Sequence, residues 1–154
     1  LSARKLAECP GVLVAAPSYL AERGTPDTPQ ALAGHRCLTI QLASVPVVSW
    51  TLHGRGQTQS VILDSPLCGD GYLARQWAIS GMGIAFKSLF DVIDDLEAGR
   101  LVQVMPDYVA GPMAIHAVFP SRRFLPARVR ALDAAIAAHF ATRAARCQAW
   151  LERG

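Results

Sequence analysis

The chain has 154 residues and a formal net charge of +3, and its residues are 51% hydrophobic and 18% charged. This composition excludes a disordered tail, and the charge excess is too small to indicate a nucleic-acid binder. The uncharged stretches contain Gly, Pro and Ser, so the sequence predicts no membrane span. Residue Leu1 is not the start of a signal peptide, and we expect the chain to be a piece of something longer.

The cysteines and histidines do not form metal-binding patterns. The four cysteines include no CxxC or CxxH pair, and the histidines are isolated, so we predict neither a metal site nor a cofactor. The apolar content is sufficient for a core without disulfides, and we interpret the cysteines as reduced thiols of a cytoplasmic protein. His116 lies in an apolar segment and is interpreted as a packed core residue.

The first part of the chain alternates short strands and helices. The apolar run at residues 12–16 predicts a strand buried on both faces, as in a parallel sheet. Residues 17–23 predict a short helix that ends at Gly24, and Thr28 is placed to cap a second helix that ends at Gly34. Further strands are predicted at residues 37–40, 47–52 and 59–63, the last two as a β-hairpin around a glycine-containing loop.

The second part continues the alternation, which makes the fold class α/β with a mixed sheet. Apolar runs predict strands at residues 84–86, 101–104 and 113–119, and helical periodicity is found at residues 72–80, 89–98 and 126–146. Asp70 is the predicted N-cap of the first of these helices. The acidic residues of the second helix are predicted to face solvent; they are Asp91, Asp94, Asp95 and Glu97.

The segment from Cys68 to Gly71 has two interpretations. Its glycines and the helix that follows are typical of an anion site, because backbone N–H groups at a helix N-terminus attract negative charge. The alternative is an ordinary N-cap turn in which the Asp70 carboxylate itself takes the anion position. The spacing alone favours the N-cap turn.

Several segments, taken in order, resemble LysR-type transcriptional regulators. Residues 70–85 are similar to the helix–strand signature of that family's effector-binding domain, and residues 115–130 (IHAVFPSRRFLPARVR) are similar to its ending. Upstream, residues 12–20 and 35–38 match the same family in the same order. Each motif alone is weakly specific, but their order over residues 1 to about 145 is strongly specific.

The resemblance implies a fold like that of type 2 periplasmic binding proteins. Two α/β lobes with mixed sheets would face each other across a cleft, with the first lobe incomplete here. Residues 1–16 would be a first-lobe remnant and crossover strand, and residues 17–115 the second, effector-binding lobe. Residues 116–154 would be the return crossover and a C-terminal first-lobe helix.

The resemblance also implies a function. The chain would be the effector-sensing domain of a regulator, binding a small carboxylate or aromatic metabolite without catalysis. DNA would be bound only by an N-terminal winged helix-turn-helix that this chain lacks. The residues expected to contact the effector are Ala16, Cys68, Gly69, Asp70, Lys87 and Phe119. The alternatives are a small α/β enzyme or a solute-binding protein with a site near Cys68 and Asp70.

The last helix carries an apolar stripe that needs a partner. The stripe consists of Leu125, Val129, Leu132, Ile136 and Phe140. On the family interpretation it packs on a first-lobe sheet whose initial strands are missing. We therefore expect the chain to self-associate through this helix. The alternatives are that the helix packs onto the remaining lobe in a position unlike that of the family, or that the chain is only marginally stable.

Overall fold

A computed structural model describes residues 1–64, 66–121 and 125–153 of the chain. Residues 122–124, which belong to the LysR-like segment 115–130, lie outside the described residues. The strands are β1 Ser2–Ala15, β2 Cys37–Leu42, β3 Val45–Pro46, β4 Ser49–Gly54, β5 Gln57–Ile62, β6 Leu67–Gly69, β7 Ile84–Ser88, β8 Val102–Val104 and β9 Tyr108–Phe119. The helices are α1 Pro17–Arg23, α2 Gly71–Ile79, α3 Leu89–Glu97 and α4 Ala127–Leu151, with a 3-10 helix at Pro29–Gly34.

The chain divides into two compact units. The first unit is Leu1–Cys9 together with Pro112–Gly154, and the second unit is Pro10–Gly111. The chain enters the second unit along β1 and leaves it along β9. The boundary expected after residue 16 lies just past the end of β1, and the one expected after residue 115 lies within β9. Their assignment to family lobes stays a prediction.

The sheet of the second unit is mixed, which confirms the predicted α/β class. The strand order is β3-β2-β7-β1-β9-β4-β5, with β6 also paired to β2 and β8 to β1. Strand β2 runs parallel to β6 and β7, whereas β1 is antiparallel to β7 and β8. The parallel setting suggested for residues 12–16 is therefore wrong. Their apolar continuity reflects burial on both faces, since Val12 to Ala15 are all fully buried, and this does not depend on strand direction.

Local sequence signals set the ends of several elements. Helix α1 ends at Gly24, whose φ of 80° is a left-handed conformation that favours glycine. The predicted hairpin is confirmed as β4 and β5, joined at Arg55 and Gly56 with φ of 50° and 73°. Thr28 occupies the N-cap of the 3-10 helix, but its side chain makes no capping hydrogen bond.

The core of the second unit fills one face of the sheet with side chains from most of its elements. Its largest fully buried members include Leu13, Leu32, Leu52, Ile84 and Val104. The ring of Trp50 packs against Phe86 with centroids 5.9 Å apart. Burial of this kind contributes about 1.5–3 kcal/mol for each large apolar side chain.

Asp95 corrects the expectation that the acidic residues of α3 face solvent. Its side chain has no exposed surface. Arg75 of α2 donates from Nε to Oδ2 at 2.7 Å and from Nη2 to Oδ1 at 3.0 Å, and Arg100 donates from Nε to Oδ1 at 2.8 Å. The backbone N–H groups of Arg100 and Leu101 also donate to the Asp95 carbonyl oxygen. This buried carboxylate therefore joins α2, α3 and the loop after α3.

The first unit leaves many apolar side chains in solvent. In the α4 stripe, Leu132 is 60% exposed and Ile136 is 38% exposed. Arg4 of β1 forms an ion pair with Asp133 of α4 at 2.9 Å. His116 is exposed, so its interpretation as a core residue is wrong: the apolar segment around it forms a strand whose outer face is not covered. Within the described residues, no helix combines the length and the apolar character needed to cross a membrane.

Candidate functional site

The β6–α2 loop, defined here as Cys68, Gly69 and Asp70, lies where a parallel strand ends. Strands β2, β6 and β7 run in the same direction, so their carboxyl ends share one edge of the sheet. Cys68 and Gly69 end β6, and Asp70 is the N-cap of α2. In open α/β sheets, ligands bind outside the carboxyl ends of parallel strands. The loop therefore lies where this type of sheet binds ligands.

Asp70 caps its own helix, as the sequence predicts. Its Oδ1 accepts a hydrogen bond from the backbone N–H of Leu73 at 2.7 Å. The capping carboxylate places a negative charge at the helix N-terminus, which opposes a second anion at the same position. This geometry favours the N-cap interpretation over an anion site on the helix axis.

Gly69 is packed closely under an aromatic ring. A Cβ atom at this position would lie 2.7 Å from Cη2 of Trp77, so any side chain here would displace the indole. Trp77 lies in α2 and is only partly buried. Its fluorescence should therefore report changes in the β6–α2 loop.

Lys87 is brought to the same edge of the sheet. It is only 7% exposed, and its Nζ donates to the carbonyl oxygen of Gly71 at 2.6 Å. The ammonium also pairs with Asp91 of α3 at 2.5 Å. Lys87 thus ties the first residue of α2 to β7, and Asp91 compensates its charge.

Ala16 lies at the other edge of the sheet. Val12 is in register with Lys87 and Val14 with Ala85, so β1 runs away from the β6–α2 loop as it approaches Ala16. Ala16 is four positions after Val12, which corresponds to about 13 Å at 3.3 Å per residue. The residue of β1 in register with the carboxyl end of β7 is Gly11, which pairs with Ser88. The structure does not group Ala16 with the loop.

Phe119 belongs to the first unit. It is the last residue of β9 and is 9% exposed. Its expected contact with an effector stays a prediction.

Sequence analysis missed Thr39, a buried polar side chain next to the loop. Thr39 is 2% exposed, and its Oγ1 has no hydrogen-bond partner among the described residues. It is in register with Cys68 across the parallel β2–β6 pair. A buried hydroxyl without a partner is costly in a folded protein, so such groups often have a functional reason. The only available signal was one polar residue inside the apolar strand 37–40.

The two cysteines of the second unit differ in environment. Burial raises the pKa of the Cys37 thiol to about 11, and its Sγ lies 3.7 Å from the carbonyl oxygens of Leu32 and His35. Cys68 is only partly buried, and both side chains are free thiols. The described part of the chain holds no group of three potential metal ligands.

A family comparison and a comparison with curated relatives point to the same family. The LysR substrate binding domain family matches residues 1–141. The chain is 35% identical to the HTH-type transcriptional regulator DmlR of Escherichia coli K12 over 131 residues, covering 84% of this chain and 42% of that protein. It is 37% identical to the HTH-type transcriptional activator TtdR of the same strain over 98 residues, covering 63% and 32%. The chain therefore spans less than half the length of these relatives.

Solved structures agree with the sequence comparison. The regulatory domain of CrgA, a LysR-type transcriptional regulator from Neisseria meningitidis, aligns with a TM-score of 0.78 at 26% identity, covering 90% of this chain and 68% of that one. The regulatory domain of AphB from Vibrio vulnificus aligns with a TM-score of 0.73 at 26% identity, covering 90% and 69%. The fold is therefore of the periplasmic-binding-protein-like type found in these regulatory domains, and the chain belongs to the LysR substrate binding domain family, the effector-binding domain of LysR-type transcriptional regulators.

Proposed function

We propose that this chain senses a small carboxylate or aromatic metabolite through the β6–α2 loop and thereby controls a cytoplasmic DNA-binding regulator. The observation that carries this proposal is the position of the loop at the carboxyl ends of parallel strands. The loop lies beside the hydroxyl of Thr39, which has no hydrogen-bond partner among the residues that the structure describes. Family membership supports it, because the relatives are transcriptional regulators rather than enzymes.

Charge at the loop constrains how an effector binds. The Asp70 carboxylate repels a second carboxylate at the helix N-terminus, and Asp91 already compensates Lys87. An acidic effector would therefore place its carboxylate away from Asp70 and present its remaining polar or aromatic part to Cys68 and Gly69. The hydroxyl of Thr39 is buried and has no hydrogen-bond partner among the described residues, so such a group would reach it only where the loop moves aside.

The mechanism would be a population shift without bond making or breaking. An effector that binds one arrangement of the domain better than another shifts the equilibrium by its differential affinity. A winged helix-turn-helix in the parent protein would transmit the change to DNA. Self-association of the effector domain, through the exposed stripe of α4, would couple the subunits of an oligomer.

Calorimetry with product analysis tests this proposal. The chain is titrated with a panel of dicarboxylates, hydroxycarboxylates and benzoates, and the recovered ligands are checked for chemical change. Sensing predicts saturable heat with unchanged ligand for at least one member. Turnover of a ligand would instead support the enzyme alternative, and would contradict the proposal.

Two substitutions at Asp70 separate its structural role from its charge. Asp70→Ser keeps an N-cap oxygen for Leu73 but removes the negative charge. It should leave stability nearly unchanged and strengthen the binding of a carboxylate effector. Asp70→Ala removes the cap as well and should cost about 1 kcal/mol of stability. Equal ligand affinity in wild type and Asp70→Ser would show that the β6–α2 loop does not contact the effector.

A further inference from the structure

The second unit contains a small, open polar pocket at the sheet edge opposite the β6–α2 loop, and its charged lining residues Glu22, Arg23 and Arg36 are exposed. The cavity, of about 70 Å³, is called here the arginine pocket and is lined by Tyr19, Glu22, Arg23, Arg36 and Gly81. These residues come from α1, from the segment before β2 and from the turn between α2 and β7. A space of this size has room for one small polar group.

Hydrogen bonds hold the wall that carries Arg36. The Arg36 backbone N–H donates to the Tyr19 hydroxyl at 3.1 Å, and the Arg36 carbonyl accepts from the backbone N–H of Ile84 at 2.9 Å. Nη1 of the Arg36 side chain donates to the Met82 carbonyl oxygen at 3.3 Å. Tyr19 is buried, and its hydroxyl also forms a hydrogen bond with Nδ1 of His35 at 3.0 Å. The backbone that presents Arg36 is therefore fixed.

The pocket has more donors than acceptors. Within the described part of the chain, neither Arg23 nor Arg36 forms an ion pair. Each guanidinium has five N–H donors, of which Arg36 uses one on a side-chain hydrogen bond. Glu22 contributes the single negative charge of the lining, so the lining carries a net charge of +1. The positive charge of Arg23 also lowers the pKa of His35, after the larger effect of burial.

Gly81 keeps part of this space open. A Cβ at this position would lie 2.7 Å from Oγ of Ser18, and its φ of +78° also favours glycine. A side chain at residue 81 would therefore compete for the space next to the Ser18 hydroxyl.

We propose that the arginine pocket is a second ligand site, which binds the phosphoryl group of a small phosphate or phosphate monoester through Arg23 and Arg36. A tetrahedral oxyanion presents oxygens in several directions, so it can accept from both guanidiniums at once, whereas a planar carboxylate pairs best with a single fork. The site lies at the amino ends of the parallel strands, away from the β6–α2 loop. Its ligand is therefore distinct from the effector proposed above.

Titration with inorganic phosphate tests the proposal, with sodium chloride of matched ionic strength as the reference. Calorimetry should show saturable phosphate binding that chloride does not reproduce. Arg36→Gln and Arg23→Gln should each weaken it about tenfold, the loss of one charge-assisted interaction. Arg128→Gln, a change of an exposed arginine in α4, is the matched control and should bind like wild type.

Glu22→Gln supplies a readout that misfolding cannot mimic. Removing the only negative charge of the lining should strengthen phosphate binding several-fold. Glycerol 3-phosphate distinguishes the two sources of the phosphoryl group: tighter binding than phosphate indicates a phosphorylated metabolite, and equal binding indicates free phosphate. The proposal is overturned if phosphate binds no better than chloride, if Arg36→Gln and Arg23→Gln bind like wild type, or if Glu22→Gln brings no gain.

Discussion

The two units of the chain differ in how far they bury the apolar side chains of their elements. In the second unit, the apolar run of β1 is fully buried from Val12 to Ala15. In the first unit, the apolar stripe of α4 leaves Leu132 60% and Ile136 38% exposed. Apolar periodicity therefore predicts which face of an element needs cover, but it does not show whether the chain itself supplies that cover.

Buried charge differs between the units as well. Asp95 in the second unit has a fully buried carboxylate bound by two arginines, whereas Asp133 in the first unit forms one ion pair, with Arg4, among the described residues. The Asp133 side chain is 17% exposed, and its buried Oδ1 has no hydrogen-bond partner in the part of the chain that the structure describes. We therefore expect the second unit to carry most of the stability that polar side chains contribute.

The largest effect is expected at Asp95. Asp95→Asn should lower the free energy of unfolding by about 3 kcal/mol, because breaking a buried ion pair leaves charge uncompensated. Asp133→Asn, the matched change in the first unit, should cost less than about 1 kcal/mol. Urea unfolding of both variants measures the difference. Equal losses would contradict the contrast between the units.

The turn between α2 and β7 gives the next largest effect. The positive φ belongs to Gly81, at +78°, whereas Gly83 is constrained by space: a Cβ there would collide with the carbonyl oxygen of Arg36. Gly83→Val should cost about 2–3 kcal/mol by overpacking. Gly34→Ala, where a Cβ meets nothing within 4 Å, should change the thermal midpoint little. A Gly83→Val variant as stable as wild type would show that this turn accommodates a larger side chain without loss of stability.

The stripe of α4 tests the first unit through association. Leu132→Asp combined with Ile136→Asp should shift the sedimenting species toward monomer, because it places charge in the surface proposed to self-associate. Since both side chains are already exposed, folding stability should change by less than about 1 kcal/mol. Val102→Asp, at a residue of the second unit that is 41% exposed, should leave sedimentation unchanged. A wild-type chain that sediments as a monomer would contradict this part of the account.

The smallest effect concerns pH. Burial, and then the charge of Arg23, lower the pKa of His35 below its ordinary 6.5, so the folded state favours the neutral ring. The unfolded chain binds the proton more readily, and stability should therefore fall as the pH drops below 6.5. His35→Asn should reduce the slope of the thermal midpoint against pH over that window. An unchanged slope would assign the acid sensitivity to other groups.

Local features of the fold could be predicted from the sequence, because they depend on neighbouring residues. The cap at Asp70, the helix end at Gly24 and the hairpin turn at Arg55 and Gly56 are examples. Strand direction and the binding of Asp95 by Arg75 and Arg100 depend on contacts that tertiary packing creates, so no local pattern revealed them.

The candidate site follows the same division. The β6–α2 loop was found from its glycines and its helix start. The position of Thr39 beside Cys68 and the arginine pocket could not be predicted, because each depends on contacts between residues that are distant in the sequence. Ala16 lies at the sheet edge opposite the β6–α2 loop because β1 is antiparallel to β7, and the sequence did not determine this strand direction.

The most direct test of the central claim is an amide chemical-shift map of the chain during titration with the metabolite panel. Effector binding at the β6–α2 loop predicts saturable shifts concentrated at residues 68–71, at Leu73, whose N–H donates to Asp70, and at Thr39. The Trp77 indole, which packs against Gly69, should shift with the same midpoint. If no member of the panel shifts these signals, or if the shifts cluster at residues outside this edge of the sheet, the assignment of the β6–α2 loop as the effector contact is wrong.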